Sequence, residues 1–328
     1  MSGKKRVLSG MQPSGLLHLG NLMGALDNWR RLQDEYECYY FIADWHALTT
    51  QYSDTSKMRT FIHEMVVDWL SAGLDPERAV LFQQSRLPEH AVLHVLLSMI
   101  TPLPWLERVP TYKEKMEQIT DRDLYTYGFL GYPVLQAADI LIYKADYVPV
   151  GIDQLPHLEL TREIGRRFNS FYGEVLPEPQ PLLTDYPKLL GTDGRKMSKS
   201  YNNCLYLSDP PETITQKVMA MVTDPARVRR QDPGNPDVCP LFTLDRIFAP
   251  AAWCDQVNVE CRRAGIGCVD DKRELLKHLL AYLKPIQEKR RELAASPETV
   301  EAIIAEGSRK ARIVAQNTLD QVREAIRL

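Results

Sequence analysis

Nowhere among the 328 residues does an apolar run approach the roughly 20 needed for a helix to cross a bilayer. Charge of either sign is not in excess: 40 Lys and Arg stand against 43 Asp and Glu, a formal net charge of −3. No global positive field announces a nucleic-acid partner, so any such contact must rest on local patches. Internal repeats and low-complexity tracts are also missing. The apolar stretch after Met1-Ser2-Gly3-Lys4-Lys5-Arg6 is far too short for a signal-peptide core. A cytoplasmic protein without a membrane partner is the expectation, and the six cysteines are then thiols or ligands rather than disulfides.

What is present is a strand–helix alternation in the first half. Val7–Gly10, Cys38–Ala43 and Ala79–Phe82 read as buried strands. A helix opens at Gly20-Asn21, and a second, periodic through Met58, Phe61, Ile62, Met65, Val66, Trp69 and Leu70, is expected to be capped by Ser53 or Asp54 and stopped before Gly73. Such alternation predicts an α/β fold, a Rossmann-like parallel sheet wound with helices. Ligands of these sheets sit beyond the C-terminal strand ends, where His18, Asp44, His46 and Gln83 would lie. The proline-rich 176–181 reads as a connection that interrupts helices. Segments 211–223, 270–294 and 297–327 read as helical. The organisation expected is a catalytic domain over 1–200 and a helical domain over 201–328, with the last helix folding back onto the first domain.

Two distant segments carry chemistry. Pro13-Ser14-Gly15-Leu16-Leu17-His18-Leu19-Gly20-Asn21 places a glycine turn and a histidine at a helix start, where backbone N–H groups can approach a phosphate. Alone, it is equally a plain strand–turn–helix. Gly194-Arg195-Lys196-Met197-Ser198-Lys199-Ser200 sets two lysines three positions apart in a loop; alone, it is a solvated basic loop. Together they suggest a site that grips ATP phosphates. A third segment, from Gly131 to Tyr143, is an apolar helix whose polar groups Tyr132, Gln136, Asp139 and Tyr143 recur on one face. It is either an internal hydrogen-bond network or the lining of an aromatic-ligand pocket.

The first two segments in this order resemble class I aminoacyl-tRNA synthetases, and their neighbours resemble the tryptophanyl branch of that class. Asn21 stands where many class I enzymes have a second histidine, a departure tryptophanyl enzymes share. The resemblance covers most of the chain and implies ATP-dependent, Mg2+-assisted activation of tryptophan and its transfer to tRNA(Trp) by a homodimer. It implies catalytic roles for His18, Lys113, Lys196 and Lys199. It assigns Gln12, Ser14, Gly20, Asn21, Gly151, Asp153, Lys196, Met197, Ser198 and Lys199 to ATP. It assigns His46, Tyr132, Gln136, Asp139 and Gln154 to tryptophan, with Asp139 accepting the indole N–H. Some relatives also carry an iron–sulphur cluster in the second domain. Cys239, Cys261, Cys268 and Asp271 would be its ligands here, with Asp271 or Cys254 in place of a fourth thiolate; the alternative is ordinary buried thiols. Basic groups at Arg227, Arg229, Arg230, Arg262, Arg263, Lys272, Arg273, Lys289, Arg290 and Arg291 are candidate tRNA contacts or solvated surface. The apolar stretch from Ala91 to Leu106 is the candidate dimer contact. Rival readings are a tyrosyl enzyme, a small-molecule nucleotidyltransferase and a synthetase-like RNA-binding regulator.

Overall fold

The computed structural model describes residues 3–110, 112, 123–183 and 189–328. Five parallel strands form one sheet: β1 Arg6–Met11, β2 Glu37–Ile42, β3 Ala79–Gln83, β4 Tyr147–Val150 and β5 Gln180–Leu183, in the order β3-β2-β1-β4-β5. β2 is buried along nearly its whole length because helices cover both faces of the sheet. Chain connections leave β1 in opposite directions toward β2 and β4, so a crevice opens at the C-terminal ends of β1 and β4. The proline-rich connection runs into β5 at Gln180. Pro181 is tolerated there because an edge strand has one side free of ladder bonds.

Among the described residues the α-helices are α1 Leu19–Asn21, α2 Asp27–Glu35, α3 Asp44–Gln51, α4 Met58–Ser71, α5 Glu89–Ser98, α6 Leu103–Glu107, α7 Tyr127–Leu141, α8 Leu155–Tyr172, α9 Pro211–Ala220, α10 Pro240–Phe248, α11 Ala251–Arg262, α12 Cys268–Ala294 and α13 Pro297–Ile326. A π-helical turn over Leu22–Leu26 joins α1 to α2. α4 starts later than its periodicity suggested, because Asp54 accepts from the Ser56 N–H in a local turn instead of capping the helix. It ends where Gly73 takes a φ of +100°, a region that favours glycine. Trp29 stacks on Tyr40 at 4.5 Å and meets Trp69 edge-on at 5.3 Å, sealing α2 and α4 against β2.

The helical half does not stand apart. One apolar cluster runs from Val7, Trp29 and Tyr40 through Leu205 and Leu241 to Leu283 and Ile304. α12 lies along α4, tied by Arg290 to Asp68 at 2.7 Å and to Glu64. α13 lies along β3, where Gly307 permits a close approach: a Cβ there would run into the Leu81 carbonyl oxygen.

Candidate active site

The two segments expected to handle phosphates are brought together by backbone pairing. Leu19 N–H donates to Leu205 O at 2.9 Å and Leu207 N–H to Leu17 O at 3.0 Å, with His18 opposite Tyr206 in an antiparallel bridge. The strap 205–207, just after the lysine loop, therefore holds the histidine turn. Gly15 adopts a φ of +128°, and a Cβ there would lie 3.4 Å from Lys199 Nζ, so the lysine rests against the turn. Among the expected ATP residues, Ser14 and Lys196 are exposed, Met197 is buried, and Gln12, Gly20, Asn21, Ser198 and Lys199 are half-buried. Lys113 lies outside the described residues.

His18 is held by reciprocal bonds: its Nδ1 accepts from the Gly20 N–H at 3.1 Å and its own N–H donates to Asn21 Oδ1 at 3.0 Å. Burial, and then the Lys199 charge, push its pKa down to about 4. A neutral ring whose Nδ1 accepts must carry its proton on Nε2, so His18 offers a neutral N–H donor. Burial also lowers Lys199 to about 8, against the pull of Cys204 and Asp68. The lysine loop is braced by Asn203, which sequence reasoning missed. Its side chain accepts from Ser198 N–H at 2.8 Å and donates to Asp193 Oδ1 at 2.7 Å and Lys196 O at 3.2 Å.

The polar face of α7 is partly buried as a network. Asp139 is 1% exposed, and both its oxygens already accept: from Gln84 Nε2 at 2.8 and 2.9 Å, from His90 Nδ1 at 2.7 Å and from His46 Nε2 at 2.7 Å. Burial alone would raise its pKa, but the bonds from His46 and His90 outweigh it and hold the carboxyl below its ordinary value. Its contribution to stability is therefore present above the ordinary carboxylate pKa and is lost as the pH falls toward the depressed one. Tyr143, also on the predicted face, reaches His90 Nε2 with its hydroxyl at 2.7 Å. Tyr132 turns to His157, 3.4 Å away, while Gln136 is half-buried. Gln84 and His90 carried no sequence signal, since single polar residues in apolar surroundings have no period. Asp44 serves a different end: it accepts from Gln83 Nε2 at 2.7 Å, Ser85 N–H at 3.0 Å and the Ser85 hydroxyl. After β4, Gly151 leads into a single turn over Ile152–Gln154, where Gln154 Nε2 donates to Asp153 Oδ2 at 3.0 Å.

Cys239, Cys261, Cys268 and Asp271 do converge, around an arginine. Arg227 Nη1 lies 3.7 Å from both Cys261 Sγ and Cys268 Sγ, and Nη2 donates to the carbonyls of Arg230 and Ile266. The space left between them is about 10 Å³, no more than a water requires. Asp271 accepts from Trp253 Nε1 at 3.1 Å instead, and burial raises it to about 6. Cys254 is half-buried. Among the described residues no group of three or more His, Cys, Asp or Glu is placed to hold a metal ion. This arrangement does not fit an iron–sulphur cluster, and no step below uses one. It also removes Arg227 from the candidate tRNA contacts. Lys272 and Arg290 leave with it, the first donating to Met219 O and Met221 O, the second bound to Asp68 and Glu64.

A family model described as tRNA synthetases class I (W and Y) matches residues 2–283. The chain is 53% identical, over 98% of its length and 99% of the relative's, to a tryptophan–tRNA ligase from Thermotoga maritima. It resembles the structure of tryptophanyl-tRNA synthetase from Campylobacter jejuni complexed with ADP and tryptophan, with a TM-score of 0.90 at 34% identity, covering 98% of this chain and 100% of that one. A tyrosyl-tRNA synthetase from Archaeoglobus fulgidus complexed with L-tyrosine has the same fold at a TM-score of 0.67 and 23% identity, over 88% and 91% of the two chains.

Proposed function

The chain belongs to the class I tRNA synthetases of the tryptophanyl and tyrosyl type, and from that we infer that it activates L-tryptophan with ATP and charges tRNA(Trp) for protein synthesis. The observation that carries the reading is the strap 205–207, which sets Lys199 against the turn of Gly15 and His18. In activation, a tryptophan carboxylate oxygen attacks the α-phosphorus of ATP. The bond to the bridging oxygen breaks, and pyrophosphate leaves with the electron pair. Fixed donors aimed at the departing charge do most of the work in such a step. We assign that role to the Nε2–H of His18 and the ammonium groups of Lys196 and Lys199. Mg2+ enters with ATP as part of the substrate. A ribose hydroxyl of the tRNA then attacks the carbonyl of tryptophanyl-adenylate, and AMP leaves.

For the amino acid, we assign Asp139 as acceptor of the indole N–H, with His46, Tyr132, Gln136 and Gln154 around it. Gln12, Ser14, Gly20, Asn21, Gly151, Asp153, Met197 and Ser198 are assigned to the nucleotide. A buried acceptor rejects a side chain that brings no donor to it, and a tyrosine hydroxyl satisfies it only if it sits where the indole N–H would. ATP–pyrophosphate exchange with each amino acid checks this: tryptophan is expected to support exchange and tyrosine to stay at background. Exchange with tyrosine alone would overturn the reading.

We place the contact between two copies of the chain on the outer face of α5 and α6. Val95, Leu103 and Met99, the last 76% exposed, are large apolar side chains open to solvent there. Met99→Glu is expected to convert a dimer to a monomer in sedimentation at micromolar concentration. A wild-type monomer would remove the contact altogether, and an undisturbed M99E dimer would move it elsewhere. Among the described residues no helix is long and apolar enough to cross a membrane, and we take the cytoplasm as the place where the enzyme meets its tRNA.

A further inference from the structure

An ionised carboxylate offers about four in-plane lone-pair positions and no donor. On Asp139 those positions are filled before any substrate arrives: Gln84 Nε2 bridges both oxygens, His90 Nδ1 takes a second place on Oδ1, and His46 Nε2 a second place on Oδ2. An indole N–H can be accepted only by replacing one of these donors.

The three donors are not equally free to leave. Gln84 is fully buried and anchored at its other end, where Oε1 accepts from the Trp45 N–H at 3.1 Å. His90 is fully buried too. Its Nδ1 carries the proton it gives to the carboxylate, and its Nε2 is bonded to the Tyr143 hydroxyl at 2.7 Å. The ring is wedged near Phe41 and Phe82, with centroids 6.3 and 6.1 Å away. Tyr143 is itself fully buried. His46 differs. Among the described residues its ring makes one hydrogen bond, to Asp139. It sits in the first turn of α3, whose residues Trp45, Leu48 and Thr49 line an open cleft of about 380 Å³ shared with Tyr132 and Leu135 of α7. His46 is 6% exposed and lies beside the cleft-lining Trp45 in sequence, so leaving Oδ2 means swinging the ring out toward that cleft.

We propose that Gln84, His90 and Tyr143 form a fixed frame on Asp139, and that His46 is the exchangeable donor whose place on Oδ2 the indole N–H takes. The inference rests on the tryptophan reading above and deepens it. His46 satisfies the buried charge while the site is empty, so the protein does not carry an unpaired acceptor. Trading one N–H for another costs little. A ligand without an N–H at that point gives nothing in return for the bond it breaks. Gln84, His90 and Tyr143 are positioning residues; they act through Asp139.

The test compares ATP–pyrophosphate exchange for tryptophan and for its isostere in which sulfur replaces the indole N–H. The wild type is expected to prefer tryptophan by at least about 100-fold in kcat/KM. His90→Leu is expected to shrink that preference at least about tenfold, and His90→Asn, which keeps an N–H near the Nδ1 position, to restore most of it. A general structural role would lower both substrates alike and leave the ratio unchanged. In the wild-type enzyme labelled with 15N in its histidine rings, tryptophan is expected to shift the His46 resonances and leave those of His90 in place. This reading stands even where H90L fails to fold. An unchanged ratio in H90L, or His90 moving while His46 stays, overturns the proposal. Absence of exchange with tryptophan in the wild type would instead overturn the function itself.

Discussion

Lys199→Ala is expected to lower the rate of tryptophan-dependent ATP–pyrophosphate exchange by roughly 10²- to 10³-fold while leaving the KM for tryptophan within a few-fold. The reasoning is electrostatic. Charge moves to the leaving pyrophosphate only as the transition state forms, so a cation aimed there acts on kcat more than on ground-state binding. Lys199 is placed for it: the ammonium lies by Gly15 and near the neutral ring of His18, in partly buried surroundings where a charge counts for more than in water. The same burial has a price in pH. With its pKa lowered to about 8, Lys199 is charged below that pH and loses its charge above it. In the free enzyme kcat/KM should therefore fall as the pH rises through about 8. Lys199→Arg, which stays protonated, is expected to shift or abolish that limb. A K199A enzyme with wild-type kcat, or an alkaline limb unmoved in K199R, would take this lysine out of the chemistry.

The second large effect is expected at Asp139. Replacing it with alanine removes the common acceptor of three buried donors and leaves Gln84, His46 and His90 facing one another without it. Breaking a buried charge-assisted network in this way costs about 3–5 kcal/mol, and it should appear as a clear drop in the thermal midpoint. Asp139→Asn keeps the shape, but its amide nitrogen confronts donors with a donor, so part of the loss should remain. Both variants are expected to lose at least about 10³-fold in kcat/KM for tryptophan. D139N with unaltered melting and unaltered exchange would remove this carboxylate from both frame and pocket.

How much of this was legible beforehand differs between elements. β1, β2 and β3 were readable because central parallel strands appear as short, nearly continuous apolar runs. β4 and β5 were not: Tyr147–Val150 has four residues with a proline among them, and Gln180–Leu183 carries another. α10 and α11 were also missed, since their apolar positions are fewer than those of α12 and α13. In the site, His18, Lys199 and Asp139 were singled out by local patterns that chemistry imposes on adjacent residues. Asn203, Gln84 and His90 were not, because each acts on a partner and has no pattern of its own. The converging cysteines were anticipated; that Arg227 would occupy the space between two of them was not.

Sequence alone determined the class of sheet and marked out the histidine turn, the lysine loop and the polar face of α7, because each of these is written within about a dozen consecutive residues as a period or a motif. Folding decided which distant groups meet. It set the strap 205–207 on the histidine turn, gave Asp139 its donors from α3, the turn after β3 and α5, and filled the thiol cluster with a guanidinium. Those pairings depend on how helices and strands pack across long sequence separations, and burial then turns each contact into a choice of proton and charge.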